Sequence, residues 1–200
     1  MMVESHSGAS DPDLARRRFL TNALAGVGVV GLALASVPFI ESWLPSERAR
    51  ALGGPVSVDA GKIAAGQMII VTWRRKPIYI VRRTAQMITL LRNHDDRLKD
   101  AESRDSQQPP YAANIYRSIR PELFVTIGIC THLGCLPKAR FDPGSAGLGG
   151  NWPGGFFCPC HGSRFDLAGR VFDGSPASVN LVIPPYELYG NRVTVGLGST

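Results

Sequence analysis

The sequence is sparing with the residues that carry redox and metal chemistry: of 200 residues, 4 are cysteine and 4 histidine. It also lacks the features that define several large classes. No segment repeats at a fixed period, which excludes solenoid and propeller arrays. The formal net charge is +6, yet no nucleic-acid-binding motif accompanies it, and several arginines stand beside an apolar run. That run, Phe19 to Ile40, is the one long uncharged apolar stretch. The remaining C-terminal part, about 145 residues, suits one domain with a real core, and no second domain is required.

Scarcity makes placement informative. All four cysteines and two of the histidines fall in Cys130-Thr-His132-Leu-Gly-Cys135 and Cys158-Pro-Cys160-His161-Gly-Ser163. Each box offers a thiol and an imidazole at close range, Cys130 with His132 and Cys158 with His161. Each leaves one cysteine over, Cys135 and Cys160, and these can pair with each other. Thiolates select zinc, cuprous copper and iron–sulfur clusters, while imidazole suits zinc, copper and iron, so ligand type alone leaves the metal open. One tetrahedral zinc on four of the six groups is one reading. Against it, zinc-site cysteines usually stand about two to four residues apart, and only Pro159 separates Cys158 from Cys160. The other reading is a two-iron cluster with two cysteines on one iron and two histidines on the other.

Near the N-terminus, Arg16-Arg17-Arg18-Phe19-Leu20 precedes the apolar run. Twin arginines ahead of such a run suggest a Tat-type export signal. As a helix, Phe19 to Ile40 spans about 33 Å, enough for a bilayer core. Arginines on its N-terminal side predict a cytoplasmic N-terminus and an exported C-terminal domain, the compartment in which a disulfide persists. Ala33-Leu-Ala35-Ser36 offers a small-residue cleavage pattern, but the length of the run and Trp43 at its end favour a retained anchor. Gly31 and Ala35, one turn apart, leave room for a second helix to pack closely.

The expected organisation is a cytoplasmic tail over 1–18, an anchor helix over 19–44, a flexible hinge over 45–55 ending in Gly53-Gly54-Pro55, and an exported domain over 56–200. Short β-branched and aromatic runs separated by Gly, Pro and Asn argue for an antiparallel all-β domain. The expected strands are Gln67 to Trp73, Ile78 to Arg82, Leu123 to Ile129, Gly155 to Phe157, Arg170 to Phe172, Leu181 to Ile183 and Arg192 to Gly196. Thr84 to Leu91 suits one short helix with Thr84 as N-cap. The polar stretch Asn93 to Ser118 reads as a long surface loop. His94 within it and His6 in the tail read as solvated, since neither has a Cys or His neighbour at ligand spacing. Trp73 and Trp152 read as packing residues.

The two boxes resemble those of the Rieske iron–sulfur subunit of bacterial cytochrome bc complexes. The N-terminal anchor, Lys76-Pro-Ile-Tyr-Ile-Val-Arg-Arg-Thr84 and Asn180-Leu-Val-Ile-Pro-Pro-Tyr186 are also similar, so the resemblance covers nearly the whole chain. It implies an all-β Rieske domain with a smaller cluster-binding subdomain over about 129–178, tethered to a single transmembrane helix. It implies one 2Fe–2S cluster, with Cys130 and Cys158 on the buried iron and His132 and His161 on the exposed one, and a disulfide between Cys135 and Cys160. Closing a loop of about 26 residues in this way contributes about 3–4 kcal/mol by chain-entropy reasoning.

The resemblance also implies a function: one subunit of ubiquinol–cytochrome c reductase in the bacterial inner membrane, its domain periplasmic. Its partners would be cytochrome b, a c-type cytochrome and ubiquinol, in a dimeric complex. The hinge would let the domain swing between two partners, and the isolated chain would be an electron carrier. His161, with His132 beside it, would hydrogen-bond the quinol, and Leu133 would be an apolar lid residue. Ser163 matches a serine that donates to a cluster sulfide in high-potential members. Phe165 stands where many of those have tyrosine, which implies a lower potential. Gly174-Ser-Pro176-Ala177-Ser178 resembles the family's proline-rich loop with Ser178 in place of a second proline, which implies a less rigid loop. The alternatives are a Rieske subunit of another exported oxidoreductase, such as an arsenite oxidase, and a membrane-tethered zinc-binding interaction module.

Overall fold

The computed structural model describes residues 12–44, 46, 53–105, 108–145 and 147–197. It divides into two units, Met1–Arg50 and Ala51–Thr200. In the first, helix α1 runs Pro12–Trp43. Its segment Asp13–Trp43 is long and apolar enough to cross a membrane, with a mean hydropathy of 2.2 over its most apolar window. Apolar side chains such as Phe19, Leu24, Leu32 and Phe39 stand exposed along it, the pattern of a helix whose natural surroundings are not water. His6 and most of the expected hinge lie outside the described residues.

The second unit is built from three antiparallel three-stranded sheets. Its strands are β1 Val56–Asp59, β2 Met68–Trp73, β3 Lys76–Arg82, β4 Leu123–Ile127, β5 Lys138–Arg140, β6 Gly155–Phe157, β7 Arg164–Phe165, β8 Tyr186–Tyr189 and β9 Arg192–Val195. The sheet orders are β1-β9-β8, β2-β3-β4 and β5-β6-β7. Helix α2, Ala85–Leu90, begins where the sequence places it: Thr84 Oγ1 accepts from the Met87 amide at 3.2 Å, supplying one of the partners a first helical turn lacks. β4 is buried along its whole length, and with Ile78, Ile80 and Val81 of β3 it forms the middle of the main core. That continuous burial explains why β4 does not alternate apolar with polar residues; its one polar side chain, Thr126, is itself buried. Trp73 lies in the main core; Trp152 packs with Leu98, Leu148 and Phe172 in a smaller cluster.

Several expectations need correction. Arg170 to Phe172 is not a strand: Val171 and Phe172 make only isolated bridges, to Phe165 and Leu98. Leu181 to Ile183 is not one either, although the Val182 carbonyl accepts from the Ile127 amide at 2.8 Å and from Thr126 Oγ1 at 2.9 Å. Leu181 and Ile183 are buried there without belonging to a strand. β1, β5, β7 and β8 were not expected. At two to four residues each, they are too short to show a period.

The larger correction concerns 93–118, which is not a surface loop throughout. His94, Leu98, Ala112, Arg117 and Ser118 are buried, and His94 is not solvated. Its Nε2 lies 3.2 Å from Asp166 Oδ2, and its ring stacks on Phe172 with centroids 5.4 Å apart. Arg170 is also fully buried. It donates to Asp166 Oδ2 at 2.8 Å, Asp95 Oδ1 at 2.7 Å and the Leu91 carbonyl at 2.6 Å. Polar residues enter an interior when they meet partners there, so the polarity of this stretch marks an internal network.

Candidate functional site: a two-loop iron–sulfur centre

The first box leaves the end of β4 and leads to β5; the second joins β6 to β7. The two loops have the same backbone clasp. The Cys130 amide donates to the Cys135 carbonyl at 2.7 Å, and the Gly134 amide to the Cys130 carbonyl at 3.0 Å. The Cys158 amide donates to the Ser163 carbonyl at 2.8 Å, and the Gly162 amide to the Cys158 carbonyl at 2.9 Å. Gly134 and Gly162 occupy matching left-handed positions, φ 82° and 79°, which glycine takes without steric cost. The boxes are thus alike in backbone as well as in ligand type. Beneath the first, Tyr79 of β3 donates its hydroxyl to the Pro137 carbonyl at 3.0 Å. Its ring passes so close to Gly128 that a Cβ there would lie 2.2 Å from it.

Cys135 and Cys160 form a disulfide that joins the loops. Cys130 and Cys158 are free thiols, 2% and 1% exposed. The sulfurs of Cys135, Cys158 and Cys160 lie within 4.8 Å of one another, so the crosslink sits directly beside a free thiol. Burial pushes the Cys130 thiol up, and the neighbouring Cys158 adds to this; the His132 backbone amide and the Ser163 hydroxyl pull it back. A thiol binds a metal as the thiolate, so metal binding here releases protons. The His132 and His161 rings meet edge to face, centroids 4.8 Å apart. His161 is exposed, and the buried Nδ1 of His132 has no hydrogen-bond partner among the described residues. Two buried thiols, two adjoining imidazoles and an orphaned ring nitrogen fit a group that takes both sulfur and nitrogen ligands.

Around this centre, Ser163 is fully buried, Leu133 is 70% exposed, and Phe165 is fully buried within the main core. Other contacts at the site gave no signal in the sequence. Thr131 Oγ1 donates to the Val179 carbonyl at 2.6 Å, and the Ala177 amide donates to Ser163 Oγ at 3.0 Å. Asp166, just past the second box, accepts from the Ala168 and Arg170 amides, both at 2.8 Å. Burial alone would raise its pKa, but the charge of Arg170 and its hydrogen bonds outweigh this and bring it to about 2. Arg83 and Arg117, also buried, donate to the carbonyls of Leu167, Ala168 and Gly169 behind it. Burial is the main cause that lowers each of these guanidinium pKa values, to about 10.

An all-β domain that presents two cysteines and two histidines from paired, disulfide-joined loops is a Rieske-class iron–sulfur protein. The family described as Rieske 2Fe-2S domain matches residues 58–187, and the one described as Ubiquitinol-cytochrome C reductase Fe-S subunit TAT signal matches residues 6–46. The ubiquinol-cytochrome c reductase iron-sulfur subunit of Allochromatium vinosum is 51% identical over 183 residues, 92% of this chain and 88% of that protein. The protein of the same name from Rhodospirillum rubrum is 41% identical over 199 residues, 98% of this chain and 100% of that one. A chain from the structure described as Hyperthermophilic respiratory Complex III is 26% identical, with a TM-score of 0.48, covering 88% of this chain and 98% of that one. The chain belongs to the ubiquinol–cytochrome c reductase iron–sulfur subunit family, and its cofactor is a 2Fe–2S cluster. Membership sets aside the zinc module and the arsenite-oxidase-type subunit.

Proposed function

We propose that Cys130 and Cys158 hold one iron of the cluster and His132 and His161 the other, and that the chain takes an electron from ubiquinol and passes it to a c-type cytochrome. The observation that carries the reading is the gradient of exposure, from two buried thiols to an exposed His161 whose ring adjoins His132. When bound, such a cluster supplies a one-electron redox centre whose two neutral imidazoles raise its potential, within about −150 to +300 mV. His161 would hydrogen-bond the quinol hydroxyl and, in the form that has lost its remaining ring N–H proton, would take the quinol proton there. A ligand imidazole is suited to this, because its remaining N–H titrates with the charge on the metal. Leu133 offers an apolar contact to the quinone pocket of the partner.

The same reading places α1 across the bacterial inner membrane as a single pass, N-terminus cytoplasmic and domain periplasmic, from the arginines ahead of the apolar run. Residues 45–55 serve as a hinge between cytochrome b and the c-type cytochrome of a dimeric complex. The test is purification of the native membrane complex, identification of its subunits, a low-temperature EPR spectrum of the reduced protein, and quinol oxidation by a His161→Gln variant. A mixed-ligand EPR signal and copurifying cytochromes are expected, with loss of quinol oxidation in any His161→Gln protein that retains cluster. A variant that keeps its cluster and oxidises quinol at the unmodified rate sinks the assignment of His161.

A further inference from the structure

The segment 174–179 is fastened to both boxes by side chains. Thr131 of the first box holds the Val179 carbonyl. The Ser175 hydroxyl accepts from the Arg164 amide at 3.1 Å, and the Ala177 amide reaches Ser163 Oγ. A further fastening comes from outside the boxes. Lys99 Nζ donates to the Ser175 carbonyl at 2.6 Å and to the Ala177 carbonyl at 2.8 Å, and its backbone amide is anchored on the Val171 carbonyl at 3.0 Å. The two carbonyls flank the peptide whose N–H goes to Ser163. Two of the three ammonium donors are therefore spent on fixing one turn.

We propose that Lys99 is a positioning residue for the redox centre: by clamping the Ser175 and Ala177 carbonyls it holds the Ala177 amide on Ser163 Oγ, which leaves the Ser163 hydroxyl proton for a sulfur of the bound cluster. A hydroxyl has one proton and two lone pairs. Once its oxygen accepts from Ala177, its proton is free for a sulfur of the bound group. A donor to a cluster sulfur stabilises the more electron-rich state and raises the potential. The proposal rests on the ligand assignment proposed above.

The test is voltammetry of the full-length, cluster-loaded chain in detergent, for Lys99→Met, Lys99→Arg, Ser163→Ala and the Lys99→Met/Ser163→Ala double variant. Lys99→Met is expected to shift the redox equilibrium about threefold toward the oxidised state, a midpoint about 28 mV lower at 59 mV per tenfold. Lys99→Arg keeps the donors and most of the potential. In the Ser163→Ala background, the same lysine change moves the equilibrium by less than about 1.5-fold, because the two act as one unit. Should Lys99→Met lose its cluster, Lys99→Gln replaces it in the series with the same expectation. An unmoved potential overturns the proposal. So does an undiminished shift in the Ser163→Ala background, which leaves the lysine only its charge. EPR of the unsubstituted reduced chain reads the ligand assignment separately: without a mixed-ligand signal that assignment falls and takes the proposal with it. An intact signal with an unmoved Lys99→Met potential overturns the proposal alone.

Discussion

Replacing Asp166 by asparagine should destabilise the domain more than any conservative polar change at its surface. The carboxylate is fully buried and accepts from the Ala168 amide, the Arg170 amide and Arg170 Nε, with His94 beside it. The asparagine side chain keeps an acceptor for the amides but removes the buried charge that faces Arg170 Nε, leaving the guanidinium with Asp95 at the surface side and the Leu91 carbonyl. A carboxyl brought from 3.8 to about 2 contributes about 2 kcal/mol at neutral pH, at 1.36 kcal/mol per pKa unit. Removing one partner of a buried ion pair raises the cost to about 3–5 kcal/mol, the upper part of that range applying only if Asp95 cannot make up the lost charge. For a domain of this size that lowers Tm by about 6–20 °C, read by thermal unfolding of the holoprotein in detergent. The pH dependence has a definite sign. The folded pKa is depressed, so the contribution is complete above the unfolded value near 4 and is lost as pH falls through about 2. Asp166→Asn should therefore flatten the acid limb of the stability profile. A loss below about 1 kcal/mol at pH 7 would refute the claim that this carboxylate compensates Arg170.

Two further perturbations bear on the centre itself. Phe165→Tyr is expected to raise the midpoint potential: a new hydroxyl donor worth about 1 kcal/mol to the reduced state corresponds to roughly 40 mV for one electron, and an unchanged or lower voltammetric value contradicts this. Cys160→Ser removes the crosslink between the loops and should cost about 3–4 kcal/mol, seen as a lower Tm and faster loss of the visible absorbance of the cluster; equal Tm values would show that the clasps hold the loops without it.

The boxes were legible because metal ligation demands particular atoms at short sequence range, and Thr84 because its cap is satisfied three residues away. The core was legible where a strand is long, as in β3 and β4, and not where Leu181 or Val171 is buried without a ladder. Ser163 and the Gly174–Ser178 loop were legible by resemblance, but the side chains that fasten them were not. Lys99 meets Ala177 across 78 residues, Thr131 meets Val179 across 48, and His94 meets Asp166 across 72. A lone histidine in a polar stretch has the composition of a solvated loop. Only folding brings Asp166, Arg170 and Phe172 around it, and no local pattern encodes that meeting.

The matched clasps of the two boxes bear on the speed of electron exchange. An electron tunnels readily only if the atoms around it barely rearrange when it arrives. In both loops the first cysteine is held by its own amide and its own carbonyl, through bonds made wholly within the loop, so its backbone position is set by the polypeptide before any charge changes. The site resembles a vice with two jaws cut to one template, and a charge gained at its centre should meet a frame already in place for both oxidation states.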